Sequence, residues 1–225
     1  FAMCSTFKAP LAACVLRAVD RGELALAARL PVREGDLLEY APVARARIAE
    51  GALALEDLCA AAVEVSDNTA ANLLLGQVGG PAGFTAFLRD LGDPVTRLDR
   101  DEPTLNTNLE GDPRDTTSPR AMASTMRTLV LGGEALAPAS RDRLATWLIR
   151  ARTGLGRLRG GLPAGWLVGD KTGTGERGAA NDVAVAWPPN DAPLVIACYV
   201  DAPDASAAAR DATHVEVARR IAAIG

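Results

Sequence analysis

Apolar residues at helical spacing appear almost at once, in Leu11-Ala12-Ala13-Cys14-Val15-Leu16, and the same period of about 3.6 residues returns at Leu53, Leu55, Leu58, Ala61 and Val63. The second pattern breaks at Ser66-Asp67-Asn68, resumes through Ala70-Ala71-Asn72-Leu73-Leu74-Leu75 and ends at Gly79-Gly80-Pro81. Further helices are predicted over 82–91, 119–131, 140–152 and 205–224. Between the first helix and Gly51 the pattern is mixed, with a turn at 20–24 and Tyr40 in a loop beside Pro42. Residues 97–118 show little periodicity and are rich in Asp, Glu, Asn, Thr, Pro and Gly; such long irregular segments are usually functional or disordered. The period then changes to that of strands at 166–173, 181–187 and 194–200, joined by turns short enough to favour antiparallel pairing. Helices followed by a sheet and one more helix indicate an α+β or layered α/β arrangement.

Composition narrows the function. With 225 residues, 48% of them hydrophobic, the chain can bury a large core. Its net charge of −4 comes from acidic and basic residues that alternate along the chain, which points away from nucleic acid and anionic membranes. No apolar run reaches the roughly 20 residues that span a bilayer. Cys4, Cys14, Cys59 and Cys198 form no C-x-x-C pair and have no metal-ligand spacing, so buried thiols, no metal and no cofactor are expected. Along a helix Cys4 and Cys14 would stand roughly 15 Å apart, beyond disulfide reach. The single histidine, His214, falls in a pattern that reads as a surface helix without an accompanying acid or serine motif. Any activated serine must therefore use Lys or Glu as its base.

One such serine stands near the start. In Ser5-Thr6-Phe7-Lys8 the lysine lies one helical turn from the serine and on the same side, so its amine can reach the hydroxyl. A desolvated lysine titrates low enough to exchange protons. Alone, the motif has a plain explanation as a helix cap and a solvated lysine. Ser66-Asp67-Asn68, Glu102-Pro103-Thr104-Leu105-Asn106 and Lys171-Thr172-Gly173 follow it in order, and the conjunction is expected by chance far less than once in about a thousand chains.

In these motifs the sequence resembles the class A serine β-lactamases over essentially its whole length. The resemblance implies one β-lactamase-like catalytic domain over 1–225, with a mainly helical lobe at about 5–152 and a sheet lobe at about 153–225. The active site would lie between them. Residues 97–118 would form the family's omega loop, closed by an Arg100–Asp115 ion pair. Ser5 would attack the lactam carbonyl and form an acyl-enzyme, with the backbone N–H groups of Ser5 and Thr174 as oxyanion hole. Lys8, or Glu102 through a water also held by Asn106, would be the acylation base; Glu102 and that water would deacylate. Ser66 would relay a proton to the lactam nitrogen, and Asn68 would bind the substrate's side-chain amide. Lys171, Thr172, Gly173 and Thr174 would hold its carboxylate, with Arg157 as the second cation in place of the arginine other members carry where this chain has Ala180. Tyr40 would line the cleft mouth.

The same resemblance implies a β-lactam as the only partner, antibiotic resistance as the outcome, and a monomer secreted or exported to the periplasm. Two departures stand out. Cys4 precedes the nucleophile, but Gly175 occupies the place where some carbapenem-hydrolysing members pair that cysteine. Members also carry a helix and two strands before S-x-x-K, so the sheet here is expected to show an open edge. Penicillin-binding DD-peptidases and non-hydrolysing β-lactam sensors share part of the motif set; Glu102 and Asn106 favour hydrolysis.

Overall fold

The computed structural model describes residues 1–224. Its centre is helix α1 (Lys8–Asp20), buried at every position from Lys8 to Leu16 and packed against α3 (Leu55–Glu64), α4 (Asn68–Gln77), α6 (Pro119–Val130) and α7 (Pro138–Ile149). Burial on all sides explains why α1 carries an almost unbroken apolar run. Around it lie β1 (Arg29–Pro31), α2 (Pro42–Ala46), β2 (Ala52–Ala54) and α5 (Gly80–Asp90). Then come α8 (Leu158–Gly161), β3 (Leu167–Thr174), β4 (Ala179–Trp187), β5 (Leu194–Asp201) and α9 (Ala207–Ala222). Local chemistry sets the boundaries. Asp67 caps α4 by accepting Ala70 N–H at 2.9 Å, Ser118 caps α6, and Ser206 caps α9. Proline occupies the first turn of α2, α6 and α7.

The sheet runs β3-β4-β5, antiparallel throughout, with Lys171 opposite Val183 and Asp182 opposite Cys198. Period-two alternation sends Val183, Val185 and Tyr199 into the core shared with the helices, and Ala184, Ala186 and Ile196 into a second core under α8 and α9. Both faces are thus covered, α6 and α7 on one side and α8 and α9 on the other. The far edge of β5 pairs with no strand among the described residues. No helix among them is long and apolar enough to cross a membrane.

Several boundaries differ from the sequence expectation. Residues 52–54 pair with β1 instead of starting α3, because a three-residue strand is too short to show a period. The helix expected over 140–152 runs Pro138–Ile149, since Pro138 sets its first turn. Helix α8, a single turn, has no periodicity to read. His214 is not on the solvent side of α9: it is fully buried, its Nδ1 2.9 Å from Arg210 O, and burial holds its pKa below the ordinary imidazole value. All four cysteines are free.

Candidate active site

Ser5 does not cap an α-helix. It lies in a 3₁₀ turn, Cys4–Phe7, that feeds α1, and Lys8 is the first α-helical residue. In a 3₁₀ turn side chains three apart eclipse, which stacks Lys8 on Ser5 more directly than an α-turn would. Lys8 Nζ donates to Ser5 Oγ at 3.0 Å, to Ser66 O at 2.9 Å and to Asn68 Oδ1 at 2.5 Å, and lies 2.8 Å from Glu102 Oε1. Burial lowers the Lys8 pKa and the Glu102 carboxylate opposes that shift. On the other side Ser5 Oγ donates to Glu102 Oε1 at 3.2 Å. The serine hydroxyl is therefore in contact with both a lysine, which can take its proton once it has itself lost one, and a carboxylate that already accepts its hydrogen bond.

Three elements set the carboxylate. Asn106 Nδ2 donates to Glu102 Oε2 at 2.6 Å, from a 3₁₀ turn at Thr104–Asn106. Asn72 on α4 clamps the Glu102 backbone, donating to its carbonyl at 2.8 Å and accepting its N–H at 2.9 Å. The loop is closed at its base by Arg100 Nε to Asp115 Oδ2 at 2.5 Å, and Asp115 Oδ1 accepts the N–H groups of Asp99 and Arg100.

Opposite, Ser66 sits in the left-handed region at φ 62, and its Oγ accepts from Lys171 at 3.1 Å and from Lys8 at 3.3 Å. Burial and the nearby Lys8 charge bring the Lys171 pKa down to about 7. Between Ser66 and Asn68, buried Asp67 accepts the N–H groups of Val43 and Ala44 as well as that of Ala70, tying the turn to α2. Asn68 N–H donates to Tyr40 O at 3.0 Å, which fixes the backbone under an otherwise exposed tyrosine. Gly173 must lack a side chain: a Cβ there would lie 2.7 Å from Met3 O and 3.1 Å from Ser5 N, so the end of β3 abuts the turn that carries Ser5.

Arg157 reaches the same end of β3. It donates to Gly173 O at 3.1 Å, Asn181 O at 2.8 Å and Thr174 Oγ1 at 2.9 Å, and its Nε is paired with Asp211 at 2.8 Å. Ala180 is the cross-strand partner of Thr174, so the Arg157 guanidinium, bonded to Thr174, lies at the strand pair that includes position 180. Thr172 Oγ1 donates to Thr153 Oγ1 at 2.8 Å. Ser5, Tyr40, Ser66, Asn68, Asn106, Thr172, Thr174, Arg157 and Thr153 all line one cavity of about 320 Å³, with Lys8, Glu102 and Lys171 buried behind it. A cavity of about 410 Å³ behind the 97–118 loop, between Arg100, Asn108, Arg114, Arg177 and Asp201, contains neither the serine nor a lysine.

The beta-lactamase enzyme family model matches residues 1–224. The chain belongs to the class A serine β-lactamases. Beta-lactamase CTX-M-97 of Escherichia coli is 50% identical over 210 residues, 93% of this chain and 72% of that protein. Beta-lactamase L2 of Stenotrophomonas maltophilia is 54% identical over 90% of this chain and 66% of its own length. Among solved structures, an ancestral class A β-lactamase superposes with TM-score 0.98 at 54% identity, covering all of this chain and 86% of the other. The putative class A enzyme PenP from Rhodopseudomonas palustris gives 0.98 at 51%, with 85% of that chain covered. In this β-lactamase the structure brings together the residues that the resemblance pointed to, whereas Asn72, Thr153 and Asp211 carried no motif. Asn72 alone left a trace, four residues after Asn68 on the same helix face.

Proposed function

We propose that the chain opens β-lactams through an acyl-enzyme on Ser5 and releases the product with a water activated by Glu102. The observation that carries this reading is the Glu102 carboxylate, 3.2 Å from the nucleophile hydroxyl and 2.8 Å from Lys8, with its second oxygen held by Asn106. A DD-peptidase or sensor needs no such carboxylate. Lys8 and Glu102 flank Ser5, so the proton leaves the hydroxyl toward one of them as Ser5 attacks. Ser66, bridged to both lysines, passes a proton to the departing lactam nitrogen. The backbone N–H groups of Ser5 and Thr174 stabilise the oxyanion. Asn106 Oδ1 has no partner among the described residues and is the acceptor that, with Glu102, would orient the hydrolytic water.

The substrate carboxylate is bound by Lys171, Thr172 and Thr174, with Arg157 adding charge at the same end of β3. Asn68 takes the substrate's side-chain amide, and Tyr40 borders the entrance. Residues 97–118 act as the omega loop of a monomeric catalytic domain that works outside the cytoplasm. The test is turnover of a chromogenic cephalosporin followed together with intact mass. Many turnovers per enzyme are expected; one stoichiometric burst with a lasting adduct would overturn hydrolysis in favour of a DD-peptidase or sensor.

A further inference from the structure

The oxyanion hole assigned above takes its two N–H donors from segments that no short stretch of chain joins. Ser5 belongs to the 3₁₀ turn before α1, and Thr174 ends β3. Their spacing is set at the seam where residues 2–6 lie against the sheet. The two backbones touch there, since a Cβ at Gly173 would collide with Met3 O. Contact fixes how near the segments come but leaves them free to slide.

Among the described residues, the hydrogen bonds that cross this seam come from two side chains of the sheet. Asn181 on β4, opposite Gly173, donates from Nδ2 to Ala2 O at 2.9 Å and to Met3 O at 3.2 Å, one hydrogen for each. Tyr199 on β5 is the cross-strand partner of Asn181, and its hydroxyl lies 2.9 Å from Thr6 Oγ1. Thr6 Oγ1 gives its only proton to Met3 O at 2.8 Å, so the tyrosine is the donor of that pair. Burial pushes the Tyr199 pKa up, which keeps its proton in place. Both bond chains end on the Met3 carbonyl. On the far side Met3 N–H donates to Asp115 O at 2.8 Å, so the segment is held between the loop base and the sheet.

The residue after Met3 makes this carbonyl matter. Cys4 is fully buried and lies in the left-handed region at φ 46, a conformation that a residue with a side chain keeps only where its surroundings fix it. The Met3 carbonyl belongs to the peptide on one side of Cys4, and the Ser5 N–H to the peptide on the other. Pinning the first aims the second. We propose that Asn181 and Tyr199 are positioning residues that, through Met3 O and Cys4, hold the Ser5 N–H in register with that of Thr174. This rests on the acyl-enzyme reading of Ser5. Neither side chain lines the cavity that Ser5 faces. The Asn181 backbone carbonyl also accepts Arg157 Nη1 at 2.8 Å, a bond that truncating the side chain leaves in place. Truncation should therefore weaken oxyanion stabilisation and spare carboxylate binding.

The test is the infrared band of the ester carbonyl in the adduct of Glu102→Ala with a penicillin carrying ¹³C at the lactam carbonyl. Hydrogen bonds from the oxyanion hole polarise that carbonyl and lower its stretching frequency. In Glu102→Ala/Asn181→Ala the band is expected at higher wavenumber than in Glu102→Ala. Glu102→Ala/Tyr199→Phe, which loses one hydroxyl and keeps the ring, should shift it less and in the same direction. With Glu102 intact, Asn181→Ala should lower kcat/KM about tenfold, below the roughly 10²- to 10³-fold that follows loss of an oxyanion donor itself. The dissociation constant before acylation, read by stopped flow, should stay within about twofold, because the carboxylate anchors are untouched. A band that stays in place would overturn the positioning role even if Tm falls, since lost stability alone does not move a carbonyl stretch. If Asn181→Ala does not fold, the Tyr199→Phe band decides. Failure of Glu102→Ala to form any adduct is a separate result, which would overturn the acyl-enzyme reading and this inference with it.

Discussion

Lys8 Nζ and Glu102 Oε1 stand 2.8 Å apart with neither side chain exposed to solvent. Each is the other's main compensation for burial, and removal of one strands a buried charge on its partner. The two halves of the reaction therefore share one electrostatic unit.

Glu102→Ala should separate those halves. Acylation can still proceed through Lys8, but without the Glu102 carboxylate burial lowers the Lys8 pKa further, and the hydrolytic water loses its base. Loss of a general base costs about 10²- to 10⁴-fold. A penicillin adduct should persist on Ser5 by intact mass; unchanged steady-state hydrolysis would refute the role of Glu102.

Lys171 ties activity and stability to pH with opposite signs. Its pKa falls from 10.5 in the unfolded chain to about 7. Between those values the unfolded chain binds the extra proton, so this group's contribution to stability rises from about pH 7 toward 10.5; the cost of charging it is complete below 7. Carboxylate binding runs the other way, because the free enzyme loses a cation as pH rises through about 7. The alkaline limb of kcat/KM should begin there, while that of kcat lies higher, since a bound carboxylate raises the lysine's pKa. Coincident limbs would contradict this.

Asp211→Ala should act on binding alone. Asp211 orients Arg157 but is 43% exposed, which reduces the worth of the pair to about 1 kcal/mol. KM for carboxylate-bearing substrates should rise about fivefold with kcat nearly constant, measured by steady-state kinetics. Arg157→Ala should raise it further; no change there would return Arg157 to an ordinary surface charge.

Asn72→Ala removes both hydrogen bonds that clamp the Glu102 backbone. Two such bonds contribute about 2 kcal/mol together. Deacylation should slow about 10-fold or more, with acyl-enzyme accumulating in rapid-quench mass spectra, and Tm should fall by several degrees. A lowered Tm with deacylation unchanged would assign Asn72 to stability only.

The limits of sequence reading follow from where information lies. Ser5 and Lys8 were recognisable because the turn that joins them is local, and the motif tripeptides because each is contiguous. Asn72 with Glu102, and Asp211 with Arg157, are pairings between distant segments, set by packing that leaves no spacing to read. His214 shows the same limit on a smaller scale. Its helix was visible, but which face turns inward depended on the sheet beneath. Strands β1 and β2 and the single turn of α8 are shorter than any period that could announce them.

The Arg100–Asp115 clasp divides the loop into a root that carries Glu102 and a largely exposed tip. Glu102 lies two residues inside the clasp and is held again by Asn72 and Asn106, whereas residues 107–114 bury little apolar surface and are tied by polar contacts, Thr107 and Asp112 to Arg100 and Asn108 to Asp201. Because the tip lines the cavity of about 410 Å³ and not that of Ser5, sequence change there can reshape that neighbouring cavity without moving the Glu102 carboxylate. The fold thereby separates the part of the loop that can change in sequence from the part that holds Glu102 in place.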